Sequence, residues 1–176
     1  SAWNIAISDA QRAALTSAAG KEKGLAIARR IAMISYRSPE NFDTRFGRTV
    51  SENGFTVQEY LRYQGDKLVD RFDPDTYVTL INAMDSHDLG RDRDLAEIDT
   101  PILAVGISSD ALYPMSDVKR LADSVPNGAY RTLHAPQGHD AFLIETGELN
   151  RIVASYLSRL HDGFSATLDG RGSAWA

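Results

Sequence analysis

From Asn4 to about His87, apolar residues recur every three to four positions: Ile27, Ile31 and Ile34 in LAIARRIAMISY, and less regularly Tyr60, Tyr63, Leu68 and Phe72. That spacing gathers them on one side of a helix. Pro39 in SPENF and Pro74 in DPDTY stand where helices begin, a position at which the missing N–H of proline does no harm. The pattern predicts helices near 25–36, 56–70 and 75–85, with 44–54 a glycine-containing loop.

From Asp99 the pattern changes. TPILAVGISSD is a proline followed by a short unbroken apolar run that ends in small polar residues, the look of a strand buried on both faces of a parallel sheet. SDVKRLADSV sets Val118, Leu121, Ala122 and Val125 on one helical face and stops at PNG. YRTLHA alternates well enough to be the next strand, and DAFLIETGELNRIVASYLSRL reads as helix with an interruption around Gly147. Strand, helix, strand, helix after a helical stretch predicts an α/β fold built of parallel β/α units. The Gly/Ser-rich tail DGFSATLDGRGSAWA is expected to fray.

Composition narrows the class. A chain of 176 residues, 43% hydrophobic and 24% charged, is one ordinary globular domain. Its 24 acidic and 19 basic residues leave a net charge of −5, and no Lys/Arg cluster is interleaved with aromatics, which argues against a nucleic-acid partner. The chain has no cysteine, hence no disulfide or thiolate metal ligand, and this fits a reducing compartment. Runs such as ILAVGI fall far short of the roughly 18–20 apolar residues that cross a bilayer. With no signal-peptide pattern at the start, the expected location is the cytoplasm, away from membranes.

In a parallel sheet, functional groups belong at the carboxyl ends of strands. Asp110 follows ILAVGISS, and His139 follows YRTLHAPQG, where a Pro-Gln-Gly breaker precedes an apolar helix in APQGHDAFL. An Asp and a His on consecutive parallel strands can hydrogen-bond, giving a general base whose tautomer a carboxylate fixes. Taken alone, Asp110 reads as well as a helix cap or turn residue. The chain order Ser, Asp, His is that of the α/β-hydrolase fold, which calls for a Gly-x-Ser-x-Gly turn upstream. AISDA, GISSD and VSENG all lack its flanking glycines. Asp85, His87 and Asp88 in DSHD read more simply as caps and solvated charge than as a metal site. His134, beside Pro136, reads as packed or exposed, the arginines of ARR and GRDRD as solvated faces, and no phosphate-binding loop is present.

Three long stretches, RRIAMISYRSPENFDTRFGR, VQEYLRYQGDKLVDRFDPDTYVTLINAMDSHDLGR and GISSDALYPMSDVKRLADSVPNGAYRTLHAPQGHDAFLIE, closely resemble the C-terminal half of the homoserine O-acetyltransferase family. That family of α/β-hydrolase-fold acyltransferases includes serine O-acyltransferases and deacetylcephalosporin C acetyltransferase. The resemblance covers nearly all of residues 4–160. It implies the C-terminal part of the parallel sheet plus an inserted helical lid: 1–24 the opening segment and start of the lid, 25–90 the lid, 91–162 the core, 163–176 a tail. It also implies roles. The SD-x-L-[FY]-P turn makes Asp110 the triad acid and GHDAFL makes His139 the triad base. Asp140 would help bind the amino group of an amino-acid substrate, and Arg12, in AQRAAL, would bind its carboxylate.

The implied reaction moves an acetyl group from acetyl-CoA, a co-substrate with no other cofactor, to homoserine through a serine acyl-enzyme in methionine biosynthesis. A homodimer through the lid is implied as well. Two departures stand out. Where most members continue with Asp-Pro-x-Trp and Gly-Asp-Tyr-Tyr segments, this chain has TSAAGKEKG, which leaves serine or a larger alcohol open as acceptor. The family's upstream half, with its Gly-x-Ser-Met-Gly elbow, is not in the sequence. The nucleophilic serine is therefore expected on a separate chain or missing segment that completes the sheet and covers its open edge. A plain hydrolase and a non-catalytic interaction fragment of the same fold are the other readings.

Overall fold

The computed structural model describes residues 1–17, 19–91 and 94–168, with side chains of the last helix described to Asp162. Five helices fill the first half: α1 (Ala2–Ser17), α2 (Lys21–Ser35), α3 (Pro39–Phe46), α4 (Thr56–Val69) and α5 (Pro74–Ser86). The three helices expected from periodicity are α2, α4 and α5. Both prolines sit in a first helical turn, behind caps that hold it: Ser38 Oγ accepts from Asn41 N–H at 3.0 Å and Asp73 Oδ1 from Thr76 N–H at 2.7 Å. The expected loop 44–54 instead holds the end of α3 and one arm of a small antiparallel hairpin, β1 (Val50–Ser51) with β2 (Gly54–Phe55). Strands of two residues are too short to leave a period in the sequence.

The buried face of α2 is not the side that carries Ile27 and Ile34. Ile27 and Ile34 are 40% and 55% exposed, whereas Leu25, Ala28, Ala32 and Met33 are buried. That face packs closely. A Cβ on Gly24 would lie 2.6 Å from Leu15 Cα, and one on Gly65 would lie 2.7 Å from the Ala26 carbonyl oxygen. At those two points of closest approach only glycine fits, and Ile27 and Ile34 lie on the opposite, outward side of α2. Leu15, Leu25, Ala28 and Leu68 form the core, with Phe72, Tyr77 and Val78 packed on it.

A short 3-10 turn, Leu95–Glu97, leads into the second half: β3 (Ile102–Ile107), α6 (Met115–Asp123), β4 (Gly128–Leu133), α7 (Ala141–Ile144) and α8 (Thr146–Leu168). β3 and β4 run parallel, in register from Ile102 opposite Gly128 to Ile107 opposite Leu133, as the β/α pattern predicts. The helix interruption falls at Glu145, the cap of α7, and Gly147 lies inside α8. α8 continues past the expected end near Leu160 to Leu168, and tail positions 169–176 lie outside the described residues. Ile107, Leu133, Ala135 and Ala141 make the second core, backed by Val105 and Ile152. Among the described residues no helix is long and apolar enough to cross a membrane.

Candidate active site

β3 and β4 point their carboxyl ends the same way, so the segments that follow them meet. After Ile107 the chain turns through Ser108 and Ser109 to Asp110. Asp110 Oδ1 accepts the N–H groups of Leu112 at 2.8 Å and Tyr113 at 3.0 Å. That leaves Oδ2 for His139 Nδ1, 2.8 Å away. Asp110 thus caps the turn with one oxygen and meets His139 with the other.

The carboxylate side chain is 3% exposed and the imidazole 25%. Burial pushes the Asp110 carboxyl up. The hydrogen bonds from His139 and from the Tyr113 and Leu112 N–H groups, together with the attraction of the imidazolium, outweigh that and hold it below the ordinary carboxylate range. An ionised Asp110 accepts at Nδ1–H and so assigns the tautomer in which Nε2 is the basic nitrogen. Tyr113, Phe142 and Tyr36 surround the ring at centroid distances of 5.3, 5.4 and 5.9 Å.

Two serines absent from the expected site hold the histidine loop. Ser109 Oγ donates to the Ala135 carbonyl at 2.6 Å and accepts the Gly138 N–H at 2.9 Å, while Ser108 Oγ accepts the Ala135 N–H at 3.0 Å. Their signal was two hydroxyls immediately after a strand and before the acid, a pattern that otherwise marks only a strand end. Gly138 adopts φ +77°, the left-handed region that glycine enters without strain, and turns the chain so that the next residue faces Asp110.

Asp140 lies beside this pair. Its N–H donates to the Tyr36 carbonyl at 3.1 Å, and its Oδ2 is 3.1 Å from Arg37 Nε, an ion pair in which the N–H is not aimed at the carboxylate. Arg12 has other partners: Nη1 is 2.7 Å from Asp85 Oδ2 and 3.3 Å from Asn82 Oδ1, which joins α1 to α5. The structure therefore brings Asp110, His139 and Asp140 together and engages Arg12 within the helical half. His134 and His87 are exposed.

No family model matches the chain. The homoserine O-acetyltransferase of Chlorobaculum tepidum is 45% identical over 177 residues, which cover 91% of this chain and 50% of that protein. The crystal structure of homoserine O-acetyltransferase from Staphylococcus aureus is similar at TM-score 0.71 and 29% identity, over 89% of this chain and 47% of that one. Over the length it spans, the chain belongs to the homoserine O-acetyltransferase family. It corresponds to the C-terminal half of a member and spans about half the length of the curated relatives it matches. The fold is the corresponding part of the α/β-hydrolase fold. Esterase E22 shares that fold at TM-score 0.76 and 14% identity, over 89% of this chain and 50% of that one, a likeness in fold alone.

Proposed function

We propose that this chain supplies the acid and base of an O-acyltransferase that moves an acetyl group from acetyl-CoA to the hydroxyl of homoserine. The supporting observation is the 2.8 Å bond between His139 Nδ1 and Asp110 Oδ2, made by a buried carboxylate and a partly exposed imidazole. A serine from outside this sequence, on a separate chain or segment, attacks the thioester carbonyl while His139 Nε2 takes its proton. The tetrahedral intermediate collapses, the C–S bond breaks, and the thiolate leaves as CoA with that proton. The homoserine hydroxyl then attacks the acyl-serine, with His139 again as base. O-Acetylhomoserine departs, and the proton returns to the serine. Asp110 orients the imidazole and stabilises the imidazolium in both halves.

In this reading Asp140 receives the substrate ammonium, and Arg12 exchanges Asp85 for the substrate carboxylate, one charge-assisted hydrogen bond replacing another. No cofactor beyond acetyl-CoA as co-substrate takes part. Exposed Trp3, Ile5, Leu80 and Met84 on the helical half support a homodimer formed through that half, acting as a lid. The absence of cysteine from the sequence supports a cytoplasmic setting.

The test is an acyl-transfer assay of the completed enzyme with acetyl-CoA, with and without homoserine. Acyl transfer predicts CoA release that depends on homoserine, with an equal amount of O-acetylhomoserine. Free acetate formed at one rate in both would make the protein a hydrolase.

A further inference from the structure

The loop that carries His139 is gripped from two sides, and only one grip comes from the sheet. The other comes from Tyr36–Ser38, the junction between α2 and α3. Ser38 is 1% exposed, and its hydroxyl donates to the Pro136 carbonyl at 2.5 Å, a partner 98 positions away. The Tyr36 carbonyl accepts the Asp140 N–H at 3.1 Å, on the other side of His139. Between them the backbones touch: a Cβ on Gly138 would fall 2.6 Å from Ser38 N and 2.7 Å from the Arg37 carbonyl carbon.

Capping α3 uses only the acceptor side of the Ser38 hydroxyl, which takes the Asn41 N–H. A serine hydroxyl has one hydrogen to donate, and here it goes to the histidine loop. We infer that Ser38 is a positioning residue for His139: its hydroxyl ties the α2–α3 junction to the loop and so keeps the imidazole on the Asp110 carboxylate. The consequence for catalysis rests on the proposed role of His139 as base, whereas the tie itself does not.

The test is NMR on this chain with two readouts: the downfield Nδ1 proton of His139, assigned by its loss in Asp110→Asn, and hydrogen exchange at the Gly138 and Asp140 amides. Ser38→Ala is expected to lose or broaden the Nδ1 signal and to speed exchange at both amides by about tenfold or more, as local opening does. Ser38→Thr, which keeps the hydroxyl, is expected to retain both. Should Ser38→Ala not fold, Ser38→Cys, close in size and a much weaker donor, reads the same signals. Asp73→Ala, which removes the cap of α5, controls for a lost cap and is expected to leave both readouts unchanged. An unchanged Nδ1 signal and unchanged exchange in a folded Ser38→Ala chain would overturn the inference. Equal losses in Ser38→Thr would assign the effect to packing and overturn the role of the hydroxyl. In the completed enzyme Ser38→Ala should lower kcat with little change in KM for acetyl-CoA. A wild-type enzyme without acyl transfer would sink the functional reading and leave the NMR result standing.

Discussion

In the helical half, one face of α2 packs tightly between α1 and α4: Leu25, Ala28 and Ala32 are wholly covered, and Gly24 and Gly65 let backbones touch. The β3–α8 half has a small core around Leu133 and shows Phe142, Leu143, Ile144 and Leu157 to solvent. The histidine and aspartate belong to this second half, at its border with the first. Apolar packing fixes the helices, while directed hydrogen bonds at Ser38, Ser108 and Ser109 fix the loop that carries His139. Stability and site geometry therefore rest on different residues, and substitutions should separate them.

The largest separation is expected between the covered face of α2 and the exposed face of α8. Leu25→Ala should destabilise the chain by about 2–5 kcal/mol in urea unfolding, and Leu157→Ala, at a residue 56% exposed, should stay within about 0.5 kcal/mol. Equal losses would mean that burial does not decide the cost of losing an apolar side chain. Next comes Gly24→Ala. The added methyl meets the Leu15 backbone rather than a flexible side chain, so a loss of about 1–3 kcal/mol is expected, with the His139 Nδ1 signal intact. Asp73→Ala removes only a cap and should lower stability by about 1 kcal/mol, read from the urea midpoint.

The smallest effect is on pH dependence. Because the folded Asp110 pKa is depressed, its contribution is fully present above the ordinary carboxylate value. It is lost as the pH falls through that value toward the folded one, where the unfolded chain takes up the proton first. Urea midpoints measured from roughly pH 5 to pH 2 should fall less steeply in Asp110→Asn than in the wild type. Parallel curves would remove Asp110 from the acid response.

The alternation of apolar runs and breakers made the β/α half legible, down to the strand ends on which Asp110 and His139 sit. Turn chemistry served equally well at Pro39 and Pro74, where both helices begin as their sequences require. Periodicity marked α2 as a helix but not the face it buries, because hydrophobicity does not say how near the neighbouring backbone comes. The serine grips stayed hidden for a related reason. Ser38 and Pro136 meet across 98 positions, and nothing local marks a hydroxyl that will donate to a distant carbonyl. Arg12 was recognised from a motif, but its ion pair with Asp85 depends on how α1 packs against α5.

The decisive measurement is the turnover of His139→Ala in the completed enzyme, with the melting temperature recorded alongside. A base held by Asp110 predicts a fall in kcat of about 10²–10⁴-fold for acetyl transfer to homoserine, in an enzyme that melts lower, because the buried Asp110 loses its partner, but is still folded at the assay temperature. Wild-type turnover by a folded His139→Ala enzyme would show that the proton goes elsewhere.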